Sequence, residues 1–154
     1  MLDLLKNFFQ SKAAPTNEPP SVDQAKALRL AAGVLLYEVI RADHKVEEAE
    51  RTVMRTALQS TFDLDTEETA EIMRLSEEQS LAAISIFEFT SLVDGAFSPE
   101  EKKRVVELLW LVAFADGTKH PSEESMVRKI AGLLHVAHPD FIDAKIRARD
   151  KKGY

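Results

Sequence analysis

The chain has 154 residues, of which 45% are hydrophobic and 30% charged, and its net charge is −6. This balance is typical of one globular domain and excludes full disorder, while the absence of cysteine excludes disulfide scaffolds and cysteine-ligated zinc or iron–sulfur centres. A chain of this length buries roughly two-thirds of the surface exposed by its unfolded form, so a packed core can hold it together without a metal.

The charge is unevenly distributed along the chain. Residues 22–144 carry 13 basic and 23 acidic side chains, a net charge of −10, whereas residues 145–154 carry five basic side chains against one acidic, a net charge of +4. An acidic body repels phosphate backbones, so nucleic-acid binding is not expected. The basic segment is too short to reverse this, and its simplest interpretation is a solvated tail.

Residues 1–10 form the first predicted element, a short amphipathic helix with Leu2, Leu5, Phe8 and Phe9 on one side. The segment is too short to span a bilayer and lacks the basic start and cleavage site of a signal peptide, which predicts a cytoplasmic protein. This helix either packs on the domain or is left mobile, or it docks on a protein partner or at the periphery of the inner membrane. Residues 11–21 hold three of the six prolines and are predicted to be a linker.

From residue 22 onward, apolar residues recur with the period of helices, and no alternating strand pattern is present. We therefore predict an all-α fold, a compact bundle of about seven short helices over residues 22–150, followed by a tail at 151–154. The fifth helix contains VVELLWLVAF, is apolar on nearly every side and is the predicted centre of the bundle. The predicted helices span 23–42, 47–61, 65–78, 80–92, 99–114 and 121–134, and a seventh begins near Pro139.

An internal repeat relates two halves of the chain. A shift of 73 residues lays Leu35–Arg55 over Leu108–Arg128, with apolar and acidic positions in register. In both copies a helix ends at an aspartate, a short loop follows, and the next helix opens with a glutamate seven residues later. The acid pairs are Asp43 with Glu50, Asp116 with Glu123 and, in a partial third copy, Asp94 with Glu101.

Two interpretations of these acids remain open. In the first, the glutamates cap helices, as in the capping box of Ser98 with Glu101, and local salt bridges neutralise the aspartates. In the second, an aspartate at the negative end of a helix is compensated by a bound cation such as Ca²⁺ or Mg²⁺. Each loop alone offers too few oxygen ligands, so two loops would have to converge. The candidate metal ligands are Asp43, Glu50, Asp116 and Glu123.

These repeats, together with LVDGAFSPEEKKRVVELLWLVAFADGTKHPSEESMVRKIAGLLHV, resemble the tellurite-resistance TerB family, specifically its stand-alone proteobacterial branch. The likeness extends from about residue 28 to residue 149. It implies an all-helical, pseudo-twofold fold whose acidic residues are suspected of metal binding. It also implies an association with tellurite or stress response, often in membrane-linked complexes. The residues that match the suspected acids are Asp43, Glu50, Asp116 and Glu123, and His44 and Lys119 depart from the repeat's own pattern.

Motifs of catalysis are sparse. The chain has no cysteine nucleophile, glycine-rich phosphate loop, Gly-x-Ser-x-Gly elbow or His-Glu-x-x-His helix, which predicts a non-enzymatic protein. His138-Pro139-Asp140 is the tripeptide of J-domains, but a helix start explains it better, because the chain continues directly as a helix. His120 with Glu124, and His135 with His138, each supply two metal ligands at most.

The sequence therefore predicts a binding module of TerB type that binds a divalent cation weakly through its Asp–loop–Glu units and transmits that state to a protein partner. A different class of function remains as the alternative. In it the chain is a metal-free scaffold that docks on a membrane or a protein complex through residues 1–10.

Overall fold

The computed structural model describes residues 22–43, 48–83, 85–115 and 121–152. Over these ranges the chain is helical and contains no strand, which confirms the all-α prediction. The predicted helix at 1–10 and the linker at 11–21 lie outside the described residues. The elements are α1 (Val22–Ile40), a 3₁₀ turn (Arg41–Asp43), α2 (Glu48–Phe62), α3 (Thr66–Ala82), α4 (Phe87–Ala96), α5 (Pro99–Ala113), α6 (Pro121–Leu133) and α7 (His138–Lys152).

The helices pack in the reciprocal manner that the repeat predicts. Helix α1 packs against α2 and α3, and its repeat equivalent α5 packs against α6 and α7. Each half also extends its second helix to the other half, since α2 packs on α5 and α6 packs on α1. The two halves are therefore related by a pseudo-twofold arrangement, and α4 is the connecting helix between them. Among these described helices, none combines the length and the apolar character needed to cross a membrane.

The centre of the bundle is shared by α1 and α5. The sequence assigned this position to α5 alone, but α1 packs against α2, α3, α4, α5 and α6. Trp110 of α5 is completely buried, and its ring lies against those of Phe114 and Phe141. The largest fully buried side chains come from several helices, which makes one continuous core: Trp110, Phe89, Leu30, Leu35, Leu36, Ile40, Met54, Leu58, Leu92, Leu109, Ile130 and Leu134.

The boundary between α3 and α4 differs from the sequence prediction. A helix was expected to start at Ser80, but α3 continues through Ala82 and α4 starts only at Phe87. The hydroxyl of Ser80 does not cap a helix, because it is buried and donates to Oε1 of Glu38 at 2.6 Å. Helix α7 runs to Lys152. The ammonium of Lys151 lies 2.7 Å from a carboxylate oxygen of Glu107, which ties this end of α7 to α5.

Gly33 marks a close approach between α1 and α3 that can be tested. A Cβ at this position would overlap Oγ of Ser76, which is held by a 2.6 Å hydrogen bond to the carbonyl of Ile72. We expect Gly33→Ala to lower the free energy of unfolding by about 1–3 kcal/mol, because overpacking outweighs the higher helix propensity of alanine. Urea denaturation followed by circular dichroism measures this change.

The matched control is Gly132 of α6, where an added Cβ would meet no atom within 4 Å. We expect Gly132→Ala to raise the free energy of unfolding by about 0.5–1 kcal/mol through helix propensity alone. Adding Ser76→Ala to Gly33→Ala should recover part of the loss, because it removes the oxygen that the new methyl group meets. Equal stabilisation by both glycine substitutions would contradict the close approach.

Candidate functional site

Four of the described helices carry glutamate as their third residue, yet these glutamates lie in two different environments. Glu68 of α3 and Glu101 of α5 are exposed and complete capping boxes, accepting hydrogen bonds from the backbone N–H of Asp65 and Ser98 at 3.2 and 2.8 Å. Glu50 of α2 and Glu123 of α6 are each only 1% exposed. Helix capping does not require burial, so it accounts for the placement of the first pair and leaves the burial of the second pair to be explained.

The buried pair is energetically costly in isolation. Moving an ionised carboxylate from water into a protein interior costs several kcal/mol unless a counter-charge or hydrogen-bond donors match it. The positive end of a helix contributes only about 0.3–1 kcal/mol, or about 2 kcal/mol in favourable partly buried geometries. Both side chains make interactions within the protein. Because Glu50 and Glu123 are equivalent in the repeat, each half of the fold has to compensate for one buried carboxylate.

A polar network holds the turn that follows α1. Arg41 donates from Nε to Oγ of Ser80 at 2.9 Å and from Nη2 to Oε1 of Glu38 at 3.3 Å and to the Ser80 carbonyl at 3.2 Å. Glu38 and Ser80 are both buried. These bonds join α1, the 3₁₀ turn and the end of α3, so the backbone that carries Asp43 is fixed by side chains from distant parts of the sequence.

A second set of contacts extends this network to α2. Glu77 of α3 interacts with Tyr37 of α1, and Nη2 of Arg51 lies 3.5 Å from Oε1 of Glu77. Burial raises the pKa of Tyr37, and the hydrogen bond and charge of Glu77 raise it further. Sequence reasoning missed these residues. The available signal was Glu38 itself, a charged residue within the apolar surface of α1.

In the third copy of the repeat, basic side chains pair with the aspartate. Oδ1 of Asp94 lies 2.6 Å from Nζ of Lys102 and 3.1 Å from Nδ1 of His135. Burial raises the pKa of Asp94, but the hydrogen bonds and charges of Lys102 and His135 together lower it below its ordinary value. With Glu101 in a capping box, both acids of this copy have partners of their own. Capping with local salt bridges therefore accounts for this copy.

Residues 29–146 match the family model described as tellurite resistance protein TerB. The chain belongs to the TerB family. The match covers both repeat halves and α4, and it identifies a tellurite-resistance-related domain in a family that is generally non-enzymatic. Neither the curated proteins nor the solved structures contain a match to this TerB chain.

The structure describes the four predicted ligands of this TerB domain to different extents. Glu50 and Glu123 are buried at equivalent positions, whereas Asp43 is placed by its backbone alone and Asp116 lies outside the described residues. The turn that ends at Asp43 packs against α6, the helix that opens with Glu123. Acids of the two repeat units thus come from segments that pack together. Within the described ranges, no three His, Cys, Asp or Glu side chains are grouped as a metal site.

The other candidate ligands of the TerB domain have structural roles. His138-Pro139-Asp140 forms the first turn of α7, where Asp140 lies 3.6 Å from Lys103 and the His138 ring lies near Phe141. This placement agrees with a helix start. His135 is bonded to Asp94, as described above, and His120 lies outside the described residues. Glu124 lies 3.7 Å from Arg128 and 3.8 Å from Lys145.

The partnered Asp94 predicts a pH-dependent contribution to stability. We expect Asp94→Asn to lower the free energy of unfolding by about 1 kcal/mol at pH 7, since it removes a partly buried charge pair. Because the folded-state pKa lies below the ordinary value of 3.8, this contribution is present above that value and is lost as the pH falls through the folded-state pKa. Urea midpoints between pH 7 and pH 2 measure it. Asp143→Asn, on an exposed part of α7, is the control, and a difference that persists at pH 2 would argue against the charge pair.

Proposed function

We propose that this TerB protein binds a divalent cation, Ca²⁺ or Mg²⁺, weakly at the acids of its two repeat loops and that the bound state alters its contact with a protein partner. The observation that carries the proposal is the burial of Glu50 and Glu123 at equivalent positions. Glu68 and Glu101, at the same position of other helices, remain exposed.

The oxygen ligands that the acids offer support Ca²⁺ or Mg²⁺ as the bound ion. Ca²⁺ takes six to eight oxygen ligands from carboxylates, backbone carbonyls and water, and Mg²⁺ takes six with shorter bonds. The buried carboxylates of Glu50 and Glu123 supply part of such a set, and Asp43 and Asp116 are the proposed further ligands. The network of Glu38, Arg41 and Ser80 fixes the turn that ends at Asp43, which limits the entropy lost on binding.

Weak binding follows from the state of the carboxylates. Glu50 and Glu123 already make interactions within the protein, so a cation must compete with them. Competition of this kind suits a reversible switch, in which a change of ligand alters the loops that a partner contacts. The protein partner and the cytoplasmic location stay predictions. Docking of residues 1–10 at the inner membrane also stays a prediction, because these residues lie outside the described range.

Isothermal titration calorimetry of the full chain with Ca²⁺, Mg²⁺ and Mn²⁺ tests the proposal. We expect a measurable binding heat for the unaltered protein and its loss in the Glu50→Gln, Glu123→Gln double variant, since glutamine keeps one carbonyl oxygen but loses the negative charge that attracts the cation. The matched control is the Glu68→Gln, Glu101→Gln double variant. It removes the same two charges from the same helical position at exposed sites, and its binding heat should be unchanged.

Thermal unfolding provides a second measurement. A ligand at 100 times its dissociation constant stabilises a protein by about 2.7 kcal/mol, so the Tm of the unaltered protein and of the control should rise with cation concentration. The Tm of the Glu50→Gln, Glu123→Gln variant should not. If the cations give no heat with any of these proteins, the cation proposal is wrong and the metal-free scaffold remains.

A further inference from the structure

A cleft of about 680 Å³ lies between α2, α5 and α7, outside the acidic site. Its apolar floor comes from α2 and α5, with Val53 and Leu111 half-buried. Four hydroxyl side chains of α2 line one wall. The charged residues of the cleft come from α5 and α7, and basic residues outnumber acidic ones in an otherwise acidic domain: Lys103, Arg104, Arg147 and Lys151 against Glu100 and Glu107.

The repeat shows what this cleft corresponds to in the other half. The shift of 73 residues relates Arg104, Glu107 and Leu111 of the cleft to Ala31, Val34 and Glu38 of α1, all of which are buried. Helix α4 packs against α1 and α6, and the repeat equivalents of these two helices are α5 and α2. The cleft between α5 and α2 is therefore the pseudo-symmetric counterpart of the place that α4 fills, and no helix within the described ranges fills it.

The order of the chain indicates which segment belongs in this place. Helix α4 directly precedes α5 in sequence, yet it packs on α1 of the other half. Under the same pseudo-twofold relation, the helix that fills the cleft on α5 would precede α1. The shift of 73 residues relates α4 to residues 14–23, which hold the predicted linker and the start of α1, so an occupant from this chain would come from the residues before them, which include the amphipathic pattern LDLLKNFF.

The length of the chain allows this placement. A second cleft, lined by Ala25 and Leu28 near the start of α1, shares Thr61 and Arg104 with the first, so a continuous path leads from the start of α1 to the floor. A flexible linker of the length of 11–21 has a typical span of about 18 Å and an extended reach of about 35 Å. An eight-residue helix is about 12 Å long, which fits within the length of the α2 segment that lines the cleft.

We propose that residues 2–9 of this chain dock as a short helix in the cleft between α2, α5 and α7. Leu2, Leu5, Phe8 and Phe9 cover the apolar floor. The N-terminal segment then covers the counterpart of the surface that α4 covers in the other half. Docking in the cleft withdraws the apolar side of this segment from any membrane or partner protein until it is released.

Disulfide trapping in the full-length chain tests the docking, because the protein has no native cysteine. The test variant pairs Leu5→Cys with Thr56→Cys, an exposed residue of the cleft. The control pairs Leu5→Cys with Glu71→Cys, which is exposed on α3 in a different cleft that also includes Lys26 and Arg29 of α1. Under mild oxidation we expect the test pair to form an intramolecular disulfide roughly tenfold faster than the control, as docking raises the local concentration of the two thiols. Non-reducing electrophoresis and the mass of the monomer report the product.

Leu111→Glu supplies an independent variant, because it places a charge on the apolar floor. Added to the test pair, it should remove the rate advantage while circular dichroism shows an unchanged helix content. Equal rates for the test and control pairs would overturn the proposal, as would a rate advantage that survives Leu111→Glu in a folded protein. Disulfide-linked dimers in place of the monomeric product would also overturn it, since they place the segment in a second copy of the chain.

Discussion

Trp110→Ala is expected to lower the free energy of unfolding by about 3–5 kcal/mol, the range measured when large aromatic residues are removed from protein cores. Trp110 is fully buried, and its ring centroid lies 5.4 Å from that of Phe114 and 5.3 Å from that of Phe141. It therefore joins α5 to α7, and alanine would leave a cavity between them. Urea denaturation followed by far-ultraviolet circular dichroism measures the loss, because the substitution removes the only tryptophan.

Trp110→Phe is the matched control. The indole Nε1–H is buried and has no hydrogen-bond partner among the described residues, so phenylalanine removes a polar group that already lacks compensation. We expect this variant to lose only about 1 kcal/mol, because most of the packing with Phe114 and Phe141 is retained. Similar losses for the alanine and phenylalanine variants would mean that the N–H group, and not ring packing, determines stability at this position.

Glu38→Ala is expected to lower the free energy of unfolding by about 2–4 kcal/mol, which is typical of breaking a buried, charged hydrogen-bond network. Glu38 accepts hydrogen bonds from Ser80 and Arg41, and alanine leaves both donors without this acceptor. The same change should weaken cation binding in the calorimetric test, because Arg41 begins the turn that ends at Asp43. Urea denaturation and the Ca²⁺ titration measure the two effects.

Glu38→Gln and Ser80→Ala separate the contributions within this network. Glutamine keeps an oxygen acceptor but removes the charge, so its loss should be smaller than that of alanine. The Glu38→Ala, Ser80→Ala double variant should lose less than the sum of the single variants, because the two residues share one hydrogen bond. Strict additivity would contradict the shared bond, and an unchanged cation affinity in Glu38→Ala would argue against a positioning role for the turn.

The fold was largely predictable because its main signals are local. Helical periodicity and capping residues identified the elements, and the repeat indicated how the two halves pack. The boundary near Ser80 was predicted wrongly, because α3 continues through Ala82 and the buried Ser80 hydroxyl bonds to a distant side chain. Its partner Glu38 is 42 residues away in sequence, and no local pattern identifies that partner.

The candidate site was predictable only in part. The repeat singled out Glu50 and Glu123, but the sequence could not distinguish them from Glu101, which also opens a helix as its third residue. Burial separates them, and burial depends on how α2 and α6 pack against the opposite half. The network of Glu38, Arg41 and Ser80 was missed for the same reason, because it forms only when α1 and α3 are brought together.

The exchange of second helices between the halves limits how the domain can be divided. Each half covers the first helix of the other, so a chain cut within α4 would give two fragments that each expose apolar surface. Such fragments would need each other in order to fold. A single copy of the repeat would likewise leave its first helix uncovered unless a second copy supplied the missing helix, as in an intertwined homodimer.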